Sequence, residues 1–125
     1  MVKLAPTLPD VARSAAAADR AGADGFTVVN TIPGTLTRAA GAKRLPRLGY
    51  GQGGLSGPAL LAVGVLATRR VRERTGKPVI GVGGIRTPDD VEQYLDAGAV
   101  LVAVGTAALA DPRVPERLAA WWARG

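Results

Sequence analysis

Short apolar, β-branched runs alternate with helix-length amphipathic stretches along this chain, and glycine-rich turns follow several of the runs. Strands alternating with helices predict an α/β fold built on a parallel sheet. The runs are apolar throughout rather than alternately polar, which predicts a sheet covered on both faces. The conspicuous polar and glycine residues fall at the carboxyl ends of the runs, where parallel β/α sheets hold their ligands.

Val2-Lys3-Leu4 reads as the end of a short strand. Thr7 is placed to cap a first helix, with Pro9 in its first turn and Asp10 at the capping-box position. Val11, Ala15 and Ala18 recur at helical spacing, and Gly22 marks the stop. Phe26-Thr27-Val28-Val29-Asn30 suits a buried parallel strand. Residues 31–50 are rich in Gly, Pro and basic side chains, and a loop of that length predicts a functional lid. A brief edge strand is expected there over residues 45–48.

Pro58 opens a helix expected to reach Thr75, with Leu61, Val65 and Leu66 among its apolar positions. Arg69, Arg70, Arg72 and Arg74 crowd its last turns, where positive charge complements the helix dipole, and Gly76 ends it. Pro78-Val79-Ile80-Gly81-Val82 is a second clear strand. Thr87 caps the next helix, with Pro88 at its first position and Asp89 and Asp90 in its first turn. That helix stops at Gly98, and Val100-Leu101-Val102-Ala103-Val104 is another strand. Gly105-Thr106 turns into a short helix, and residues 115–123 form a last one carrying Leu118, Trp121 and Trp122.

A chain of 125 residues fits one small domain. Its residues are 47% hydrophobic but only 4% aromatic, so the core is built from small aliphatic side chains. The chain contains no Cys, which excludes disulfides, a thiol nucleophile and iron–sulfur ligation within it. It contains no His, which excludes a Ser-His triad and His-ligated metal. No stretch has the length of a membrane span, and the chain opens directly on strand-like residues, so a cytoplasmic protein without a secretory signal is expected. The net charge of +6 is compatible with solvated surface charge, a phosphate or an acidic ligand. The Arg69–Arg74 cluster lacks interleaved aromatics and lies at the far end of its helix from the glycine loops, so no nucleic-acid partner is expected.

Gly83-Gly84 follows one strand and Gly105-Thr106 the next. Glycine lets backbone N–H groups approach a phosphate, and helix starts after both loops would add favourable partial charge. Paired loops of this sort resemble the phosphate site of many (β/α)8 barrels. Gly51, Gly53, Gly54 and Gly57 match neither a dinucleotide fingerprint nor a Walker loop, and read instead as a third anion contact or a loop packed over a planar cofactor. Lys3 reads either as a positive charge beside an electron-rich ring or carboxylate, or as a surface lysine near a terminus. Asn30 reads either as a donor–acceptor pair for a heterocycle or as a turn residue.

Val2-Lys3-Leu4-Ala5-Pro6, the run from Ala23 through Asn30-Thr31, Gly53-Gly54-Leu55-Ser56-Gly57, Gly81-Val82-Gly83-Gly84-Ile85 and Val102-Ala103-Val104-Gly105-Thr106-Ala107 occur in the order seen in dihydroorotate dehydrogenases. The chain resembles that family over nearly its whole length, and its Asn30-Thr31-Ile32-Pro33-Gly34 and Val104-Gly105-Thr106 look more like the soluble class 1 enzymes, NAD-linked subtype. The resemblance implies a (β/α)8 barrel binding FMN, which oxidises dihydroorotate to orotate in pyrimidine synthesis. It implies that Lys3 neighbours the flavin's pyrimidine edge and stabilises the reduced anion, and that Val29 packs near the flavin. Gly57, Gly83, Gly84, Gly105 and Thr106 would bind FMN, chiefly its phosphate, while Asn30 and Thr31 would hold the pyrimidine substrate. A related dihydropyrimidine dehydrogenase domain, or a non-catalytic half-barrel that binds phosphate or FMN, are the alternatives.

Such a barrel needs about 250 residues, and residues 1–125 supply about four β/α units, the C-terminal half. No residue here is expected to be the catalytic base: Ser14 and Ser56 occupy the wrong motifs, and the resemblance implies a Cys or Ser base on an active-site loop of the N-terminal half of the barrel. Met1 falls just before the strand holding Lys3, so a truncated or split gene product, or a misassigned start, is expected. A four-stranded half-barrel has two open edges and an uncovered interior face. A homodimer, or pairing with the other half-barrel, is therefore expected. The NAD-linked subtype also implies a second subunit carrying FAD and an iron–sulfur cluster.

Overall fold

The computed structural model describes residues 1–6 and 10–124. Its centre is a four-stranded, all-parallel sheet of β1 (Val2–Leu4), β2 (Phe26–Val28), β7 (Val79–Val82) and β8 (Leu101–Ala103), in the order β1-β2-β7-β8. Three helices, α1 (Val11–Arg20), α2 (Leu61–Thr75) and α3 (Pro88–Asp96), pack against it. A five-residue helix α4 (Thr106–Ala110) and a terminal helix α5 (Val114–Trp122) follow β8. The α/β class and the parallel sheet thus match the sequence reading.

The helix ends have local causes. The expected cap at Thr7, with Pro9 after it, lies outside the described residues. Asp10, expected at the capping-box position, is itself the N-cap, and its carboxylate accepts from the N–H groups of Ala12 (2.9 Å) and Arg13 (3.3 Å). After α1, Gly22 N–H donates to Asp19 C=O and Ala23 N–H to Ala18 C=O, the paired bonds of a Schellman stop. Residue 58 opens a 3₁₀ turn, Pro58–Leu60, before α2. At the end of α2, the Arg72 guanidinium donates to Gly76 C=O at 2.5 Å, so this arginine works as a C-terminal cap. Arg69, Arg70 and Arg74 are exposed.

The sheet is covered on one face, not two. Phe26, Val28 and Val79 are fully buried beneath the helices, in a cluster with Leu4, Val11, Ala15, Ala67 and Val71. A second cluster joins Ile85, Val91, Tyr94, Ala99, Val114 and Leu118. The other face carries Lys3, Thr27, Ile80 and Leu101 in one paired row, which grades from half-buried to exposed. Apart from Lys3 the residues of both faces are uncharged, but only one face is packed within this chain. Leu101, 60% exposed at the β8 edge, belongs to this uncovered surface.

Residues 31–50 are not a plain lid. They hold β3 (Ile32–Gly34), β4 (Thr37–Ala40) and β5 (Lys43–Pro46), the last replacing the edge strand expected at 45–48. β4 and β5 form an antiparallel hairpin, and β3 pairs antiparallel with β6 (Gly53–Leu55). Pro33 and Pro46 survive in these strands because each ribbon has only two strands and leaves N–H positions facing away. Thr-Arg-Ala-Ala and Lys-Arg-Leu-Pro lack an apolar alternation, so no strand signal stood out.

Thr68, on α2, is fully buried, and its hydroxyl has no hydrogen-bond partner among the described residues. An unpaired buried hydroxyl costs about 1–3 kcal/mol, and valine has the same shape without it. Thr68→Val is therefore expected to raise stability by about 1 kcal/mol, read from the midpoint of urea unfolding. An unchanged or lower midpoint would show that the hydroxyl is satisfied. Among the described residues no helix is long and apolar enough to cross a membrane.

Candidate functional site

The carboxyl ends of β1, β2, β7 and β8 open onto one cavity of about 330 Å³. Lys3, Val29, Asn30, Thr31, Gly57, Gly83, Gly84, Gly105 and Thr106 all line it. Segments separated by as many as a hundred positions in the chain meet there because every parallel strand ends on the same rim.

Local bonds hold the rim in place. Val29 N–H donates to Val82 C=O at 2.8 Å, and Asn30 N–H to Leu4 C=O at 2.9 Å. These bonds extend the ladder past the ends of β2 and fix Asn30 at the cavity edge. The Thr106 hydroxyl donates to the Ser56 hydroxyl at 2.8 Å, tying the turn after β8 to the turn after β6. Gly57 is next to this tie, with φ +91°. Val29, Leu60 and Ile85, each at most 3% exposed, form an apolar floor.

The charge is one-sided. Lys3 and Arg86 are the ionisable side chains of the lining, and neither is in an ion pair among the described residues. The backbone N–H groups of Gly83, Gly84 and Gly105 have no backbone acceptor among the described residues. Spare amide donors beside two cations suit an anion. Arg86 escaped the sequence reading because a single arginine after a glycine loop carries no pattern. Ser56, within the Gly53–Gly57 motif, carries no signal in the sequence that sets it at the cavity.

Two expectations are corrected. Gly53 and Gly54 do not approach the cavity as an anion loop. They lie in β6, paired with Gly34 and Pro33, and leave room for the side chains of Leu48 and Thr31. Gly51 is a turn residue beside Pro46. Of the expected third glycine contact only Gly57 reaches the cavity.

The helix starts also contribute less than expected. α4 has only five residues, and α3 is closed by its own capping box. There the Thr87 hydroxyl accepts from Asp90 N–H at 3.3 Å, and Asp90 accepts from the N–H groups of Arg86 (2.8 Å) and Thr87 (2.9 Å). Asp90 is itself the anion at that helix start. Burial pushes its carboxyl up, but the hydrogen bonds from Arg86 and Thr87, with the Arg86 charge, outweigh this and hold it below the ordinary 3.8. Its contribution to stability is therefore full above pH 3.8 and lost as pH falls through the lower folded value. Asp90→Ala is expected to cost about 1–2 kcal/mol at neutral pH and to flatten the acid limb of the stability profile. An equal loss at pH 2 and pH 7 would refute this role.

A family model for dihydroorotate dehydrogenase matches residues 1–120. The chain belongs to the dihydroorotate dehydrogenase family. Among its relatives is the protein named dihydroorotate dehydrogenase B (NAD(+)), catalytic subunit, of Halalkalibacterium halodurans, 45% identical over 113 residues. That match covers 90% of this chain and 36% of the relative. The protein of the same name from Listeria monocytogenes is 44% identical over 117 residues, covering 94% of this chain and 38% of the relative. The Geobacillus kaustophilus protein is 42% identical over 113 residues. The chain thus spans 36–38% of the length of these dihydroorotate dehydrogenase relatives.

Proposed function

We propose that this chain is the phosphate-holding part of an FMN-dependent dihydroorotate dehydrogenase, a C-terminal half of about four β/α units from a (β/α)8 barrel. The observation that carries this reading is the convergence of all nine motif residues on one cavity at the carboxyl rim of a parallel sheet. The open face and the unpaired edges of β1 and β8 support a second set of β/α units completing the barrel.

The cavity fits the phosphate end of a flavin mononucleotide. Spare amides of Gly83, Gly84 and Gly105 supply donors, Arg86 and Lys3 supply positive charge, and the apolar floor suits a planar ring. When bound, the flavin supplies the electron acceptor for oxidation of dihydroorotate to orotate. The chain's own residues bind and orient: the Asn30 amide offers donors and an acceptor to a pyrimidine from a fixed strand end, and Thr31 adds a hydroxyl. The lining holds no carboxylate, imidazole or thiol among the described residues, and the Ser56 hydroxyl is engaged by Thr106. Removal of a proton from the substrate therefore falls to a base on the other half of the barrel. The names of the relatives, catalytic subunits of an NAD(+)-linked enzyme, support a separate electron-transfer subunit as partner.

The test combines this chain with the N-terminal half of a full-length relative and FMN. Bleaching of the flavin by dihydroorotate is the expected result. A flavin-loaded complex that stays oxidised with dihydroorotate refutes the activity, and bleaching by uracil-type rings instead would favour a dihydropyrimidine dehydrogenase reaction. The missing base supports a second reading, in which the chain by itself binds FMN without turnover. Flavin titration of the chain alone tests it.

A further inference from the structure

We infer that Tyr94, a helix residue outside the cavity, is the positioning residue that aims the Gly83-Gly84 amides at the flavin phosphate. The inference rests on the flavin-phosphate reading of the cavity. Tyr94 lies on α3, is fully buried, and does not line the cavity. Its ring fills the places where side chains of Gly64 on α2 and Gly81 on β7 would project. Those two glycines let it lie flat between helix and sheet, and its hydroxyl reaches the turn after β7. There it donates to the Gly83 C=O at 2.8 Å.

The direction of that bond is what matters. In a trans peptide unit the C=O and the next residue's N–H point opposite ways. A Gly83 carbonyl drawn into the helix layer by Tyr94 turns the Gly84 N–H away from that layer, toward the cavity that Gly84 lines. That N–H has no backbone acceptor among the described residues, which leaves it for the cavity. Gly83 and Gly84 have φ +132° and +78°, and the tyrosine bond pins the unit from beneath. Burial, with the Asp90 charge nearby, pushes the Tyr94 phenol well above its ordinary value, so it remains a donor across the working pH range.

The experiment compares FMN with riboflavin, which differ only in the phosphate, by flavin fluorescence on the full chain and on Tyr94→Phe. The unsubstituted chain is expected to bind FMN more tightly than riboflavin. Tyr94→Phe is expected to reduce that ratio about three- to tenfold, the worth of one hydrogen bond, with riboflavin affinity unchanged. A folded Tyr94→Phe chain that keeps the full ratio overturns the role of Tyr94. An unsubstituted chain with no preference for FMN overturns the phosphate reading itself, and the role of Tyr94 with it. Should Tyr94→Phe not fold, 3-fluorotyrosine in the unsubstituted chain gives the answer by fluorine NMR. The chain has two tyrosines, and Tyr50, 98% exposed, is the internal control. The Tyr94 signal is expected to move with FMN and stay still with riboflavin, and an equal response to both overturns the inference.

Discussion

Gly84→Ala is expected to abolish the preference for FMN over riboflavin and to lower stability by about 3 kcal/mol. Two costs combine. Gly84 has φ +78°, a backbone conformation that alanine enters at a cost of about 1–2 kcal/mol. An added Cβ would also stand 2.6 Å from the backbone nitrogen of Leu61 and 2.9 Å from its Cα and Cβ. Leu61 begins α2, so the clash is with a helix backbone rather than the tip of a flexible side chain. Relief requires the Gly83-Gly84 turn to move off its place on the cavity rim, which removes the amides from their common target. Gly22→Ala is the control: its φ is +93°, but nothing lies within 4 Å of the added carbon. That variant is expected to lose only the conformational cost, about 1–2 kcal/mol, and to leave flavin binding intact. Equal behaviour of the two variants in thermal melts and flavin titration would contradict the close approach of Leu61 to Gly84.

Phe26→Ala is expected to cost about 3–5 kcal/mol, measured by urea unfolding. Phe26 is the chain's single phenylalanine and is fully buried at the start of β2, between Val2 on β1 and Val79 on β7. The helix residues of its cluster include Ala15 and Ala67, which are too short to fill the space its ring would leave. The residual cavity thus persists, and the cost lies near the upper part of the range for large-to-small changes. Domains of this size are stable by about 5–15 kcal/mol, so the loss takes a large share. Phe26 does not line the cavity, so flavin binding should weaken only in proportion to the unfolded fraction. A loss below about 1 kcal/mol would mean that Phe26 does not anchor this core.

Much of the fold was legible in the sequence because its signals are local. Thr87-Pro88-Asp89-Asp90 marks the start of α3 since the capping groups lie within four residues of one another. Gly22, Gly76 and Gly98 mark helix ends for the same reason. The strands β2 and β7 stood out as β-branched runs, although each proved shorter than its run. The paired ribbons over residues 32–55 did not stand out, since their strands are held by cross-strand bonds between mostly exposed residues and carry no apolar period. The residues that line the cavity were readable because glycines and polar residues at strand ends have a known rim to occupy in a parallel sheet.

By itself the sequence determined the α/β class, the capping box of α3, the family and the set of residues at the strand ends, all properties carried by near neighbours in the chain or by motifs. Only the tertiary structure decided which of those residues share a cavity, that Gly53 and Gly54 belong to a ribbon instead, and that one sheet face lies open. It alone placed Arg86 on the cavity and the Tyr94 hydroxyl under Gly83. The physical reason is distance along the chain: convergence on a rim, burial of a face and a bond across eleven residues arise from packing between elements, and no local pattern records them.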